Sequence, residues 1–143
     1  MLNVDEIVIL LLLVLLCVKN ALSLRKALGF RRNVKANAYS HCQAEVVAAH
    51  GSVNRSYFSR EYVRAVYTVD GKQIRGKMIC GYDSRVEKGD SVTLIVPKSN
   101  PMIFAFSERQ VKQAVLKYSV MTAAHTLFTV VLAVVCILAA LEK

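Results

Sequence analysis

The hydrophobic positions of this chain follow two different rules. Near each end they run together without interruption, and between the ends they alternate. Ile7 to Val18 (IVILLLLVLLCV) is unbroken apolar sequence, and Ser119 to Leu141 (SVMTAAHTLFTVVLAVVCILAAL) is a longer stretch without a full charge. A helix that is apolar on every side needs a lipid or protein surround on every side. The second run is about 35 Å long as a helix and crosses the roughly 30 Å hydrocarbon core unaided. The first reaches only about 18 Å and borrows length from Leu2, Val4 and residues 21–24, with Lys19 and Asn20 extending toward headgroups. Both read as transmembrane helices. A cleaved secretory signal would need a positive start, and Asp5 and Glu6 stand there instead.

From Asn37 the period is two. In HCQAEVVAAHG, Cys42, Ala44, Val46 and Ala48 share one strand face. EYVRAVYTV and GKQIRGKMIC then straddle Asp70-Gly71, the dipeptide that a two-residue hairpin with positive φ at both positions favours. That loop sets the register. It places Tyr67 opposite Ile74, Ala65 opposite Gly76 and Val63 opposite Met78 on a core face, and Val66 opposite Arg75, Arg64 opposite Lys77 and Tyr62 opposite Ile79 on the other. VEKGD turns into the strand SVTLIV, with Val92, Leu94 and Val96 on one side, and Pro97 and Asn100-Pro101 end it. MIFAF is a last short strand before Ser107, a candidate N-cap for the helix that continues into the second span. The expected fold is a membrane α plus small all-β architecture: two transmembrane helices flanking a five-stranded antiparallel barrel or sandwich of OB-like or SH3-like size. The boundaries are 1–24 for the first span, 25–36 for a basic juxtamembrane helix or linker stopping near Gly29, 37–106 for the β domain, 107–118 for a juxtamembrane linker and 119–141 for the second span.

Charge adds orientation. The net charge is +9. Lys19, Arg25, Lys26, Arg31, Arg32 and Lys35 form a juxtamembrane belt with no acid among them, suited to anionic lipid headgroups. Basic residues beside spans stay in the cytoplasm, so the β domain is expected inside and both termini outside a cytoplasmic membrane. Of the four cysteines, Cys17 and Cys136 lie in the spans and Cys42 and Cys80 in the domain, where a reducing compartment keeps thiols free.

AEVVA (44–48), VYTVDGK (66–72), VEKGDSVTLIV (86–96) and the exit PKSNP (97–101) together resemble the bacterial domain-of-unknown-function family three-five-nine-two. Its members share the layout of a transmembrane helix, a basic stretch, a small β domain and a second transmembrane helix. The aromatic residue usual before the Asn-Pro tail is replaced here, giving LIVPKSNP. The resemblance implies no catalytic residues.

The residues name no reaction either. His41, Cys42, His50 and Cys80 fit no zinc spacing, and there is no phosphate loop or nucleophile elbow, so no enzyme, cofactor or metal is expected. RSYFSREYVRAVY interleaves Arg55, Arg60 and Arg64 with Tyr57, Phe58, Tyr62 and Tyr67, a mix used on single-stranded nucleic acid. A strand with an aromatic core side produces the same mix, and nucleic acid is disfavoured against a protein partner. The candidate interaction surface is Tyr62, Arg64, Arg75 and Lys77 with Tyr57 and Phe58 in the adjoining 51–60 loop. Tyr118, Thr122, His125, Thr126 and Thr129 recur at helical spacing in the second span, a polar stripe that reads as a packing face for the first span or a second protomer, helped by the small residues Ala123 and Ala133. The function expected is therefore an accessory or regulatory membrane protein acting by binding. The alternative is membrane protection or transport through oligomerised spans, for example immunity to a pore-forming toxin.

Overall fold

The computed structural model describes residues 4–50, 62–80 and 86–141. The order is α1 (Val4–Lys35), β1 (Tyr39–His50), β2 (Tyr62–Val69), β3 (Lys72–Met78), β4 (Ser91–Pro97), β5 (Ile103–Phe104) and α2 (Glu108–Leu141). Two compact units divide the chain: Met1–Lys26 with Val115–Lys143, and Ala27–Ala114.

In the first unit, each helix carries a stretch long and apolar enough to cross a membrane, and almost none of either stretch is buried by protein. The half-buried positions recur at alternating spacings of three and four. The series is Leu10, Leu13 and Cys17 on α1, then buried Asn20 and half-buried Leu24, against Tyr118, Thr122, His125, Thr129, Leu132 and Cys136 on α2, flanked by half-buried Ser23, Met121 and Ala133. That spacing is one narrow seam on an otherwise lipid-compatible cylinder. Residues 108–118 are helical and continuous with the second apolar stretch.

In the second unit, α1 does not stop at Gly29. Ala27 and Phe30 are buried at 0% and 1% exposure, and that packing outweighs the roughly 1 kcal/mol a mid-helix glycine costs. The helix ends instead at Asn37, whose φ of 50° opens a left-handed cap. The Ala38 N–H donates to the Asn33 carbonyl at 2.8 Å and the Asn37 N–H to the Val34 carbonyl at 3.1 Å. These are the paired bonds of a Schellman cap with asparagine in place of glycine.

The sheet order is β4-β1-β2-β3-β5. The hairpin register is as the Asp-Gly turn requires, with Tyr67 opposite Ile74, Ala65 opposite Gly76 and Arg64 opposite Lys77. Asp70 and Gly71 have φ of 49° and 75°, both positive as that turn demands.

Three expectations are corrected. The sheet is mixed, because β5 runs parallel to β3. It forms a half-barrel, and the isolated antiparallel bridge Ile95↔Ala105 joins β4 to the residue after β5 through backbone bonds of 2.8 and 3.0 Å. Five strands curling round to meet cannot alternate throughout, since an odd number forces one parallel neighbour. Second, a β-bulge between Val46 and Ala48 shifts the phase of β1, so Ala49 rather than Ala48 opposes Val63 and packs on the core. The bulge forms where the β4 entry turn takes over the edge. The Gly89 N–H donates to the Val46 carbonyl at 2.8 Å, and the Val46 N–H donates to the Asp90 carbonyl at 2.9 Å. Third, β4 buries both faces at its end, Ile95 as well as Leu94 and Val96, where single-sided alternation was expected.

The core is Cys42, Ala44, Val46, Val63, Ala65, Tyr67, Met78, Leu94, Val96 and Phe104. Phe104 meets Tyr67 and Phe106 edge to face, with ring centroids 6.0 and 5.8 Å apart. The Tyr67 hydroxyl donates to the Pro101 carbonyl at 2.6 Å, and its ring lies over the space where a Cβ on Gly76 would sit. Glycine is required there because the backbone at 76 is the floor under the tyrosine. Gly76→Ala is therefore expected to lower stability by about 2–3 kcal/mol, as overpacking of a rigid core does, read by thermal unfolding in detergent. Burial, and secondarily Cys42, push the Tyr67 phenol up from 10.0 to about 12. The folded state thus holds this proton more tightly than the unfolded chain. That contribution is complete below pH 10 and is lost as pH rises toward about 12, a difference of roughly 3 kcal/mol. The stability advantage of the native chain over Tyr67→Phe should shrink across that interval; an advantage that stays constant would refute the assignment.

Candidate functional site

The described chemistry-bearing residues fall into three groups. The first is the outer face of the β2–β3 hairpin. Core-facing residues alternate with exposed ones, so Arg64 on β2 and Gln73, Arg75 and Lys77 on β3 project to solvent, and Lys72 is exposed beside the turn on the other face. Arg64 pairs directly with Lys77, and Arg75 with Val66. Like charges directly opposite repel, and among the described residues no carboxylate forms an ion pair with Arg64, Arg75 or Lys77. Glu45 is the acid nearest in register, opposite Val66 on β1. The Arg64 guanidinium lies 4.9 Å from the centroid of the half-buried Tyr62 ring, a cation–π contact that holds it flat on the sheet. Four of the six expected surface residues, Tyr62, Arg64, Arg75 and Lys77, therefore share this hairpin. Tyr57 and Phe58, with the rest of the 51–60 loop, lie outside the described residues.

The second group lines the seam between the spans. His125 and Thr129 of α2 meet α1: the Cys17 thiol and Thr129 hydroxyl are 3.5 Å apart, and Asn20 Nδ2 is 3.2 Å from His125 Nδ1. The same His125 nitrogen is 2.7 Å from the Met121 carbonyl. One ring nitrogen cannot serve both. Protonated, Nδ1 donates to Met121; bare, it accepts from the Asn20 amide. Thr122 and Thr129 hydroxyls donate to the carbonyls of Tyr118 and His125, each at 2.7 Å. Asn20, expected to reach for headgroups, is instead only 7% exposed, because an amide facing a partner helix is better satisfied than one in lipid. Thr126 and Ala123, one residue after and two before His125, are exposed and leave the packing face, while Ala133 is half-buried.

The third group is the basic belt. Lys19, Arg25, Lys26, Arg31, Arg32 and Lys35 are all exposed. Their neighbour Asn33 turns inward: its Nδ2 donates to the Gly29 carbonyl at 2.8 Å and to the Ser99 hydroxyl at 2.7 Å, and the Ser99 N–H donates back to Asn33 Oδ1 at 3.4 Å. The PKSNP segment thus anchors the helix end.

One residue that motif reading missed is Gln110, fully buried at the start of α2. Its N–H donates to the Ser107 hydroxyl at 3.3 Å, as the N-cap expectation requires. Its Oε1 accepts from the Phe106 N–H at 2.7 Å and its Nε2 donates to the Cys80 carbonyl at 2.9 Å. SERQ (107–110) carries a capping-box signature that would have flagged the glutamine, though not its bond to Cys80. All four cysteines are free. Cys42 and Cys80 are buried, and burial, then Asp70, raise the Cys42 thiol above 9.0. Adjacent His41 is exposed while Cys42 points into the core, so the two do not converge.

No family model matches the chain, and no curated protein or solved structure is found similar to it.

The Asn20–His125 pair is the interhelix bond most open to test. Replacing each with leucine, singly and together, should give a coupling of about 0.6 and at most about 1.7 kcal/mol in a double-mutant cycle measured by reversible unfolding in mixed micelles. A coupling of zero would mean the amide bonds elsewhere.

Proposed function

We propose that this chain is a non-enzymatic integral membrane protein presenting its β module in the cytoplasm as an accessory or regulatory subunit of a membrane complex. The module works by binding an anionic partner on the outer face of the β2–β3 hairpin. A bacterial cytoplasmic-membrane location, membership of family three-five-nine-two and an OB-type closed barrel belong to the same proposal. The β3–β5 parallel pair and the Ile95↔Ala105 bridge support the barrel.

The observation that carries the binding reading is the exposed Arg64–Lys77 cross-strand pair with Arg75 beside it. Opposed like charges weaken a hairpin, and a surface that keeps them gains from an acidic partner what it loses alone. The alternative, action through oligomerised spans, has less support, since His125 and Thr129 are engaged with α1 of the same chain. The exposed belt from Lys19 to Lys35 supports cytoplasmic placement and contact with anionic headgroups.

Two measurements test this. Arg64→Glu/Lys77→Glu should abolish recovery of crosslinked partners from native membranes while leaving thermal unfolding within about 0.5 kcal/mol of the native chain; unchanged recovery removes the idea. For orientation, buried Cys42 is a poor reporter, whereas Lys98 is exposed. Lys98→Cys should react with an impermeant maleimide in inverted vesicles and resist it in intact cells, and the opposite pattern would reverse the topology.

A further inference from the structure

The hairpin has an open edge as well as a basic face. The Lys77 N–H donates to the Met102 carbonyl at 3.0 Å and the Ile79 N–H to the Phe104 carbonyl at 2.9 Å, so odd-numbered residues of β3 turn their backbone groups away from β2 and toward β5. But β5 is two residues long and pairs only with Lys77 and Met78. By the same period, Gln73 and Arg75 aim their N–H and C=O groups along this edge. No described residue pairs with them there. The reason is local: residues 97–101, which would lie alongside had β5 begun earlier, are instead occupied in the exit turn. Asn100 Oδ1 accepts from the Met102 N–H at 3.3 Å, the Asn100 N–H donates to Pro97 at 3.2 Å, and the Pro101 carbonyl holds Tyr67. Where the turn meets the edge sits Met102, 57% exposed, an uncommon level for a large apolar side chain in this unit.

We propose that this edge is a strand-addition site for an extended segment of a partner protein in which acidic and apolar residues alternate. The inference rests on the anionic-partner reading above and supplies its binding mode. A strand laid beside Gln73–Arg75 would exchange backbone hydrogen bonds with those two residues and extend the sheet in front of β5. Its side chains would then alternate between two environments. On one face lie exposed Gln73, Arg75 and Lys77; on the other lie half-buried Ile74 and, at the end, Met102, with exposed Lys72 beyond Ile74 at the turn. Carboxylates on the first face and aliphatic groups on the second match both. A second copy of this chain is a poor occupant, because two β3 edges would oppose Lys72, Arg75 and Lys77 to themselves; lysine on an open edge is how sheets discourage that pairing. An anionic lipid could meet the charges but has no backbone to complete the ladder.

The test uses the full chain in phosphatidylcholine nanodiscs and a fluorescein-labelled peptide alternating Glu and Val. Saturable binding followed by anisotropy is expected. N-methylating alternate amides of the peptide, in both registers, should weaken binding about tenfold in one register, the loss of two backbone hydrogen bonds, and a Lys-Val peptide should not bind. Gln73→Pro removes an outward N–H without touching the β2–β3 ladder and should weaken binding severalfold with unfolding unchanged. If N-methylation in either register leaves affinity intact while Arg64→Glu/Lys77→Glu abolishes it, the strand-addition mode is wrong and the charged face alone binds. If no peptide binds but phosphatidylglycerol vesicles do, and charge reversal releases them, the partner is lipid and this proposal fails. Loss of neither ligand on charge reversal overturns the anionic-partner reading itself.

Discussion

The β module depends on one buried amide. Gln110 has no exposed surface, and its side chain ties the first turn of α2 to the chain segment leaving β5 and to the end of β3. A buried amide is tolerated only where its hydrogen bonds are made, and removing one partner leaves the others unsatisfied at about 1–3 kcal/mol each. The bonds are made only if β5 is where it is, parallel to β3 and bridged to β4. Gln110 therefore reports on the placement of β5 beside β3, in the way that a well-packed leucine, indifferent to direction, could not.

Asn33 and Asn37 do the matching work at the other end. Asn37 terminates α1 by adopting a left-handed conformation, and Asn33 reaches across to Ser99 in the exit turn. The polar residues of PKSNP are thus consumed by structure: Ser99 holds a helix, Asn100 folds the turn, and Pro101 accepts from Tyr67. That is why β5 starts late, and a late β5 leaves the edge of β3 open. The open edge follows from how the ends of the module are fastened, with the basic side chains of β3 arrayed beside it.

What could be read from the residues divides along the range of the interaction. The β2–β3 register was legible from Val69↔Lys72 to Arg64↔Lys77 because Asp70-Gly71 is a local signal: a two-residue loop admits one register, and alternation then assigns the side chains to faces. The apolar spans were legible for the same reason, needing only a count of neighbours in sequence. The parallel β5 was not, because its direction is decided by closure with β4, through contacts that no short window contains. The bulge at Val46 was not, because it is created by Gly89 and Asp90, far along the chain. Half of the candidate surface was visible as charge on one strand face; the unpaired backbone beside it depends on where a different strand begins.

The seam between the spans makes the same point in a different solvent. Cys17, Asn20, His125 and Thr129 look like separate polar faults in apolar sequence, each expensive in hydrocarbon. Brought together in two pairs they become a registry device: a slip of one residue along either helix would part Asn20 from His125 and Cys17 from Thr129 together. Polar pairs add little net stability in a membrane, where the separated helices also find hydrogen-bond partners. Their effect is on uniqueness: the two pairs together favour one register of α1 against α2.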